Sequence, residues 1–137
     1  MAAKIFPGRF DSLAAIADYI KREAESAGLN DTDTYSVQLA VDEACTNIVE
    51  HAYGGEDLGD IKINCKAGSD GLEIIIHDDG KQFDPDSLPE PNIGAPLEEI
   101  GTRGAGVFLM RKLMDEVHFE FKSDKGTTLR MKKKKSG

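Results

Sequence analysis

The chain has 137 residues, 39% of them hydrophobic and 31% charged, which is the composition of a single globular domain. No apolar run is long enough to span a bilayer and the N-terminus lacks a secretory signal, so we expect a cytoplasmic protein that does not enter membranes. The formal net charge is −8 and all 25 acidic residues precede Lys125, so the body of the chain should not bind nucleic acid directly.

The first part of the chain predicts a short strand and a helix. Residues 3–7 form a strand that ends at Pro7, and Asp11 or Ser12 can cap a helix that runs to about Ala27. Gly28 then occupies the C′ position, where helices commonly end on a left-handed glycine.

A second, longer helix is predicted to begin at Asp31 or Thr32, either of which can cap it, and to end near residues 53–55. Cys45 in this helix and Cys65 in the strand after it fall on apolar faces, which indicates reduced core thiols and not a disulfide framework. Small and apolar residues repeat at helical spacing and form a core stripe, namely Val37, Ala40, Val41, Ala44, Ile48 and Ala52.

Polar residues border that stripe along one side of the second helix. Glu43 and Asn47 lie four positions apart, hence about one turn apart on the same side, and His51 continues the line. A carboxylate can accept a proton from an attacking hydroxyl group, and an amide oxygen can bind Mg²⁺. A solvated helix face carrying the same residues by chance is the alternative, so this motif alone does not identify a site.

The second half of the chain predicts a sheet. Residues 61–66, 117–122 and 129–132 alternate between apolar and polar side chains, which is typical of antiparallel strands with one buried face. The more apolar residues 72–78 should form a central strand, and residues 104–114 a third helix. Because helices must cover the buried face, the expected fold is an α+β two-layer sandwich, with helices on one face of a mixed, mostly antiparallel sheet.

Asp78 ends the central strand on the same face as its buried apolar neighbours. A carboxylate in that position needs a hydrogen-bond donor, and the exocyclic amine of adenine is a suitable one. Gly80, two residues later, would let the backbone come close to a flat ligand. A hairpin turn rich in Asp and Gly explains the same residues equally well.

A glycine-rich turn precedes the third helix. Residues 84–103 are proline-rich and lack periodicity, which indicates a surface loop of the kind that forms lids. Gly104 and Gly106 follow, just before Val107, and the free N–H groups of such a helix start form a phosphate site. Arg103 is placed to neutralise phosphate oxygens. A purely structural entry into the helix is the alternative.

Thr127 and Thr128 open the last strand and could donate a hydroxyl group to a phosphate, although strand propensity alone would place threonines there. Six of the 17 basic residues lie from Lys125 onwards. We interpret residues 132–137 as a solvated strand end and basic tail.

Four short motifs therefore follow one another along the chain, at residues 43–47, 78–80, 101–106 and 126–128. In this order they resemble the motifs of the GHKL ATPase superfamily. The likeness is greatest to the bacterial anti-sigma factor serine/threonine kinases, in which the fold stands alone at about this length. The likeness runs from the first helix to the last strand and is most telling over residues 41–53 and 104–117. Gln82 departs from it, since the second motif often has a glycine there, but Phe83 follows as in many stand-alone members.

The resemblance implies a role for each residue of the set. Glu43 would be the catalytic base, Asn47 would hold Mg²⁺ and the phosphates, and Asp78 would bind the adenine amine. The other implied contacts to ATP are His51, Gly80, Phe83, Arg103, Gly104, Gly106, Val107, and Thr127 or Thr128.

The function implied is that of an ATP- and Mg²⁺-dependent protein serine/threonine kinase in a partner switch. Such a protein sequesters a sigma factor and phosphorylates a small antagonist protein. The alternative, left open by Gln82, is a non-catalytic ATP-binding module whose nucleotide state controls the binding of a protein partner. The resemblance also implies a homodimer through the first strand and helix.

Overall fold

A five-stranded sheet forms one layer of the protein. The computed structural model describes residues 3–82, 105–121 and 125–136. In the spatial order β1-β2-β3-β5-β4, every pair of neighbouring strands is antiparallel. The strands are β1 (Lys4–Pro7), β2 (Asp60–Gly68), β3 (Gly71–Asp78), β4 (Glu116–Phe121) and β5 (Thr127–Lys134). The mostly antiparallel sheet is therefore confirmed, and the parallel pairing of a mixed sheet does not occur among these described strands.

Helices α1 (Leu13–Ser26), α2 (Asp31–Asn47) and α3 (Ala105–Leu113) form the second layer. As expected, α1 is followed by Gly28, with a φ of 87°. The N-cap of α2 is Asn30, whose Oδ1 accepts a hydrogen bond from the N–H of Asp33 at 2.8 Å. The prediction of Asp31 or Thr32 was therefore wrong by one or two residues, since Asn30 is the residue in the extended conformation that capping requires.

The second helix changes its geometry before it ends. After Asn47 the chain continues as a π-helix over Ile48–Ala52, a form that occurs mostly as single turns and frequently at functional sites. The predicted end near residues 53–55 is confirmed. The widened turn changes the direction in which the last residues of the helix face.

The core lies between the two layers. The alternation predicted for residues 61–66 and 129–132 is confirmed, because Ile61, Ile63, Leu129 and Met131 are buried and the residues between them on each strand are not. On β4 it holds only in part, since Phe119 is partly buried but Phe121 is 47% exposed. Both cysteines are buried and free, also as predicted. No helix in the described part of the chain is long and apolar enough to cross a membrane.

The basic C-terminal segment is largely built into the fold. β5 continues to Lys134, whose N–H donates to Asp115 Oδ2 at 2.6 Å. The N–H and the hydroxyl group of Ser136 both donate to the buried carboxylate of Asp33, each at 2.9 Å. This segment therefore fastens the end of the sheet to the start of α2.

Candidate functional site

A cavity lies between the helices and the β3-β5-β4 half of the sheet. It contains about 290 Å³ of empty space, including space open to solvent. Its walls are mostly apolar, and they carry three polar side chains, Asn47, Asp78 and Thr127. A mostly apolar cavity with a few converging polar groups is the usual form of a ligand site.

Two of the three polar side chains have buried atoms without a hydrogen-bond partner. These are Asn47 Nδ2 and Thr127 Oγ1, both unpaired within the described part of the chain. An unsatisfied buried polar group costs about 1–3 kcal/mol, so a ligand, ion or water that bonds to it is favoured. The nitrogen and oxygen of an amide are assigned and not observed, so Asn47 can equally present Oδ1 to a cation.

Asp78 and Thr127 come together because they are register partners on β3 and β5. Asp78 is 3% exposed and Thr127 is 4% exposed. The Asp78 carboxylate accepts a hydrogen bond from the N–H of Gly80 at 2.9 Å, which holds the turn that follows the strand. Sequence and structure therefore agree that a carboxylate ends the buried face of the central strand.

Gly80 packs against the end of the π-helix. A Cβ added to Gly80 would lie 2.6 Å from the carbonyl oxygen of Ala52, closer than two such atoms can approach. The next residue, Lys81, donates its N–H to that same oxygen at 2.7 Å. Gly80 therefore allows the close approach of the end of the helix, and its approach to a flat ligand stays a prediction.

Tyr53 is a positioning residue that was not predicted from the sequence. Its hydroxyl group donates to the carbonyl oxygen of Asp60 at 2.6 Å and accepts the N–H of Asp79 at 3.1 Å. It thereby joins the end of the helix to the start of β2 and to the turn after β3. Its place at the end of the motif over residues 41–53 was the available signal.

Gln82, the departure from the family pattern, also has a structural role. Its Nε2 donates to the carbonyl oxygen of Gly126 at 3.1 Å. The N–H of Gly126 donates in turn to the carbonyl oxygen of Gly80 at 2.8 Å. These two bonds tie the start of β5, and hence Thr127, to the turn beside Asp78.

Glu43 lies on α2 one turn before Asn47 and is half-buried. The pKa of its carboxyl group is raised, first by desolvation and then by the negative charges of Asp42 and Glu50. A raised pKa makes a carboxylate a stronger proton acceptor near neutral pH. Glu43 is not among the residues that line the cavity, and neither is His51, which lies half-buried on the π-helix.

The remaining predicted residues are placed as follows. Thr128 lies on the opposite face of the sheet, where its Oγ1 is 3.1 Å from Nδ1 of His77, so only Thr127 of the pair reaches the cavity. Val107 is a buried core residue in the first turn of α3, which also contains Gly106. Phe83, Arg103 and Gly104, and the expected lid over residues 84–103, lie outside the described residues.

No cluster of three or more His, Cys, Asp or Glu side chains that could hold a metal occurs in the described ranges. In nucleotide sites Mg²⁺ is usually bound by one or two protein oxygens, and substrate phosphates and water complete its coordination shell. The buried amide of Asn47 is the described group that suits this role.

Comparisons with known proteins agree with this architecture. Residues 6–133 match the family model of the histidine kinase-like ATPase domain. Serine-protein kinase RsbW of Bacillus cereus (strain AH187) is 34% identical over 131 residues, which are 93% of this chain and 80% of that protein. RsbW of Halalkalibacterium halodurans is also 34% identical over 131 residues, which are 93% of this chain and 78% of that protein.

Among solved structures, this chain is similar to the histidine kinase domain of the Erythrobacter litoralis EL346 blue-light activated histidine kinase. The TM-score is 0.54 at 18% sequence identity, and the match covers 96% of this chain and 67% of that one. At this identity the likeness concerns the fold.

Proposed function

Because this chain belongs to the histidine kinase-like ATPase family, together with the RsbW serine-protein kinases, we propose that it is an ATP-dependent protein serine kinase. One observation supports this function more than any other. Unpaired buried atoms of Asn47 and Thr127 converge on the cavity that also contains the Asp78 carboxylate. A structural domain without a ligand would gain nothing from such an arrangement.

Each polar group suits a different part of ATP. The Asp78 carboxylate can accept the exocyclic amine of adenine, and the Thr127 hydroxyl group can bond to the base beside it. Asn47, one layer away on α2, can bind the phosphates and Mg²⁺, which neutralises their charge. The proposal also assigns Arg103, Gly104, Gly106 and the lid to the phosphates, as the resemblance implies.

Glu43 is the proposed catalytic base. In the reaction the serine oxygen of the substrate forms a bond to the γ-phosphorus, the bond from that phosphorus to the bridging oxygen of ADP breaks, and the serine proton passes to the Glu43 carboxylate. The raised pKa of Glu43 favours this role, because the carboxylate gains proton affinity.

The proposed partners follow from the resemblance to the anti-sigma factor kinases. The protein would hold a sigma factor inactive and would phosphorylate a small antagonist protein that competes for it. We place this switch in the cytoplasm, and we propose that the protein acts as a homodimer.

Calorimetric titration with Mg²⁺-ATP tests the nucleotide site. Thr127→Val and Asp78→Asn should each weaken binding by about tenfold or more, since each removes a hydrogen-bonding group from the cavity. Thr128→Val is the matched control, because it makes the same change one residue away on the opposite face. Absence of binding to the wild-type protein, or equal losses in both threonine variants, would contradict the assignment.

Phosphotransfer is tested by incubating the protein with Mg²⁺, radiolabelled ATP and a purified antagonist protein. Wild-type protein should label a serine of the antagonist, and Glu43→Gln should label it about 10²–10⁴ times more slowly. Tight ATP binding without labelling would favour the alternative function, in which the nucleotide only controls partner binding.

A further inference from the structure

Three strands bring a row of side chains to one side of the cavity. Asp78 on β3 pairs with Thr127 on β5, and Thr127 pairs with Phe121 on β4. In the next row with the same orientation, Leu129 on β5 pairs with Phe119 on β4. The polar groups of the cavity are thus flanked by two aromatic rings on the edge strand.

Phe119 is the sole aromatic side chain among the described residues that line the cavity. It is partly exposed, although it lies on the inward face of β4. Its ring stacks on that of Phe121, with ring centroids 6.4 Å apart and planes tilted by 10°. Phe121 is 47% exposed, which is high for a large apolar side chain on the face that otherwise points to the core.

We infer that Phe119 is the ring against which the base of the nucleotide packs, and that Phe121 holds Phe119 in that orientation. The inference rests on the proposed ATP site. A flat base whose edge bonds to Asp78 and Thr127 needs a flat apolar surface against its face, and Phe119 is the described side chain of that kind in the cavity.

This assignment makes Phe119 a specificity-determining residue. The phosphates are bound through charge and hydrogen bonds, which a nucleotide with any base would satisfy. Stacking on Phe119 depends on the area of the base, so the site should favour purine over pyrimidine nucleotides. The affinity for a phosphate chain without a base should not depend on Phe119.

The test measures dissociation constants for Mg²⁺-ATP and for Mg²⁺-tripolyphosphate by calorimetry. Phe119→Leu keeps an apolar side chain but removes the ring, and it should raise the dissociation constant for ATP by about five- to tenfold while leaving that for tripolyphosphate unchanged. Phe10→Leu is the control, because Phe10 follows β1 at the opposite edge of the sheet and is also exposed, at 42%.

A second variant gives a spectroscopic signature that a merely structural role would not produce. The chain contains no tryptophan, so Phe119→Trp introduces a single reporter. Its emission should fall when Mg²⁺-ATP is added, because a stacked base quenches indole, and should not change with Mg²⁺-tripolyphosphate. Phe10→Trp should respond to neither.

The results separate this inference from the proposed function. If wild-type protein binds ATP while Phe119→Leu binds it equally well and the Phe119→Trp emission stays constant, the stacking assignment is wrong and the ATP site stands. If wild-type protein does not bind ATP, both fail. Equal weakening of ATP and tripolyphosphate by Phe119→Leu would also overturn the assignment, since it would indicate a general loss of structure.

Discussion

Gly80→Ala should uncouple the turn beside Asp78 from the helix that carries Asn47. The added Cβ would lie 2.6 Å from the oxygen, 2.7 Å from the carbonyl carbon and 2.9 Å from the Cβ of Ala52, so the backbone must move. Overpacking of this kind costs about 1–3 kcal/mol. The movement also strains the 2.7 Å bond from the N–H of Lys81 to Ala52, which is worth about 0.5–1.5 kcal/mol.

The sum is a destabilisation of about 1.5–4.5 kcal/mol, or a fall in Tm of roughly 5–16 °C for a domain of this size. Thermal unfolding followed by circular dichroism measures it, and calorimetry should show weaker Mg²⁺-ATP binding, because the N–H of Gly80 holds the Asp78 carboxylate. Gly55→Ala is the matched control, since its Cβ would meet only Leu58 Cδ1, at 3.6 Å. Equal Tm values for the two variants would refute this reasoning.

Three further predictions concern groups around the site. Because the pKa of Glu43 is raised in the folded protein, its ionisation destabilises the fold as the pH rises above the usual pKa of 4.5. Glu43→Gln should therefore raise Tm at pH 7 and change it less at pH 4. A lower Tm of this variant at pH 7 would contradict the prediction. Tyr53→Phe removes two hydrogen bonds and should cost about 1–3 kcal/mol in urea unfolding, while an unchanged midpoint would show that they contribute nothing. Burial raises the pKa of Cys65 to about 11 and that of Cys45 as well, so a thiol reagent at pH 8 should modify neither until guanidinium is added.

Much of the fold could be predicted because buried residues recur at a regular spacing along the helices and strands. The alternation of apolar and polar residues located the strands. The same alternation could have shown which of the two threonines, Thr127 or Thr128, lies on the buried face. Leu129 and Met131 are buried, so Thr127 must share their face and Thr128 must lie on the other. The cap of α2 was misplaced because Asn30, Asp31 and Thr32 are all good capping residues, and only the backbone conformation distinguishes them.

The contacts that shape the site could not be predicted in the same way. The π-helical turn over Ile48–Ala52 is too short for its period to be distinguished from that of an α-helix. The bond from Gln82 to Gly126 joins residues 44 positions apart, and a single sequence carries no signal for such a pair. Sequence motifs therefore indicated which chemistry the site contains, and the tertiary structure determined which of the candidate residues meet.

The unpaired groups in the cavity imply that nucleotide affinity is gained at the expense of stability. Thr127→Val replaces a buried hydroxyl group that has no partner among the described residues, so it should stabilise the ligand-free protein by up to about 1–3 kcal/mol. Mg²⁺-ATP at about 100 times its Kd should stabilise the wild-type protein by about 2.7 kcal/mol, and the same concentration should stabilise Thr127→Val less, because its Kd is higher. Urea unfolding with and without Mg²⁺-ATP measures both effects. Thr128→Val, the control, should not be more stable than wild type without ligand, and Mg²⁺-ATP should stabilise it as much as it stabilises wild type. A less stable ligand-free Thr127→Val would mean that the hydroxyl group serves the fold and not the ligand.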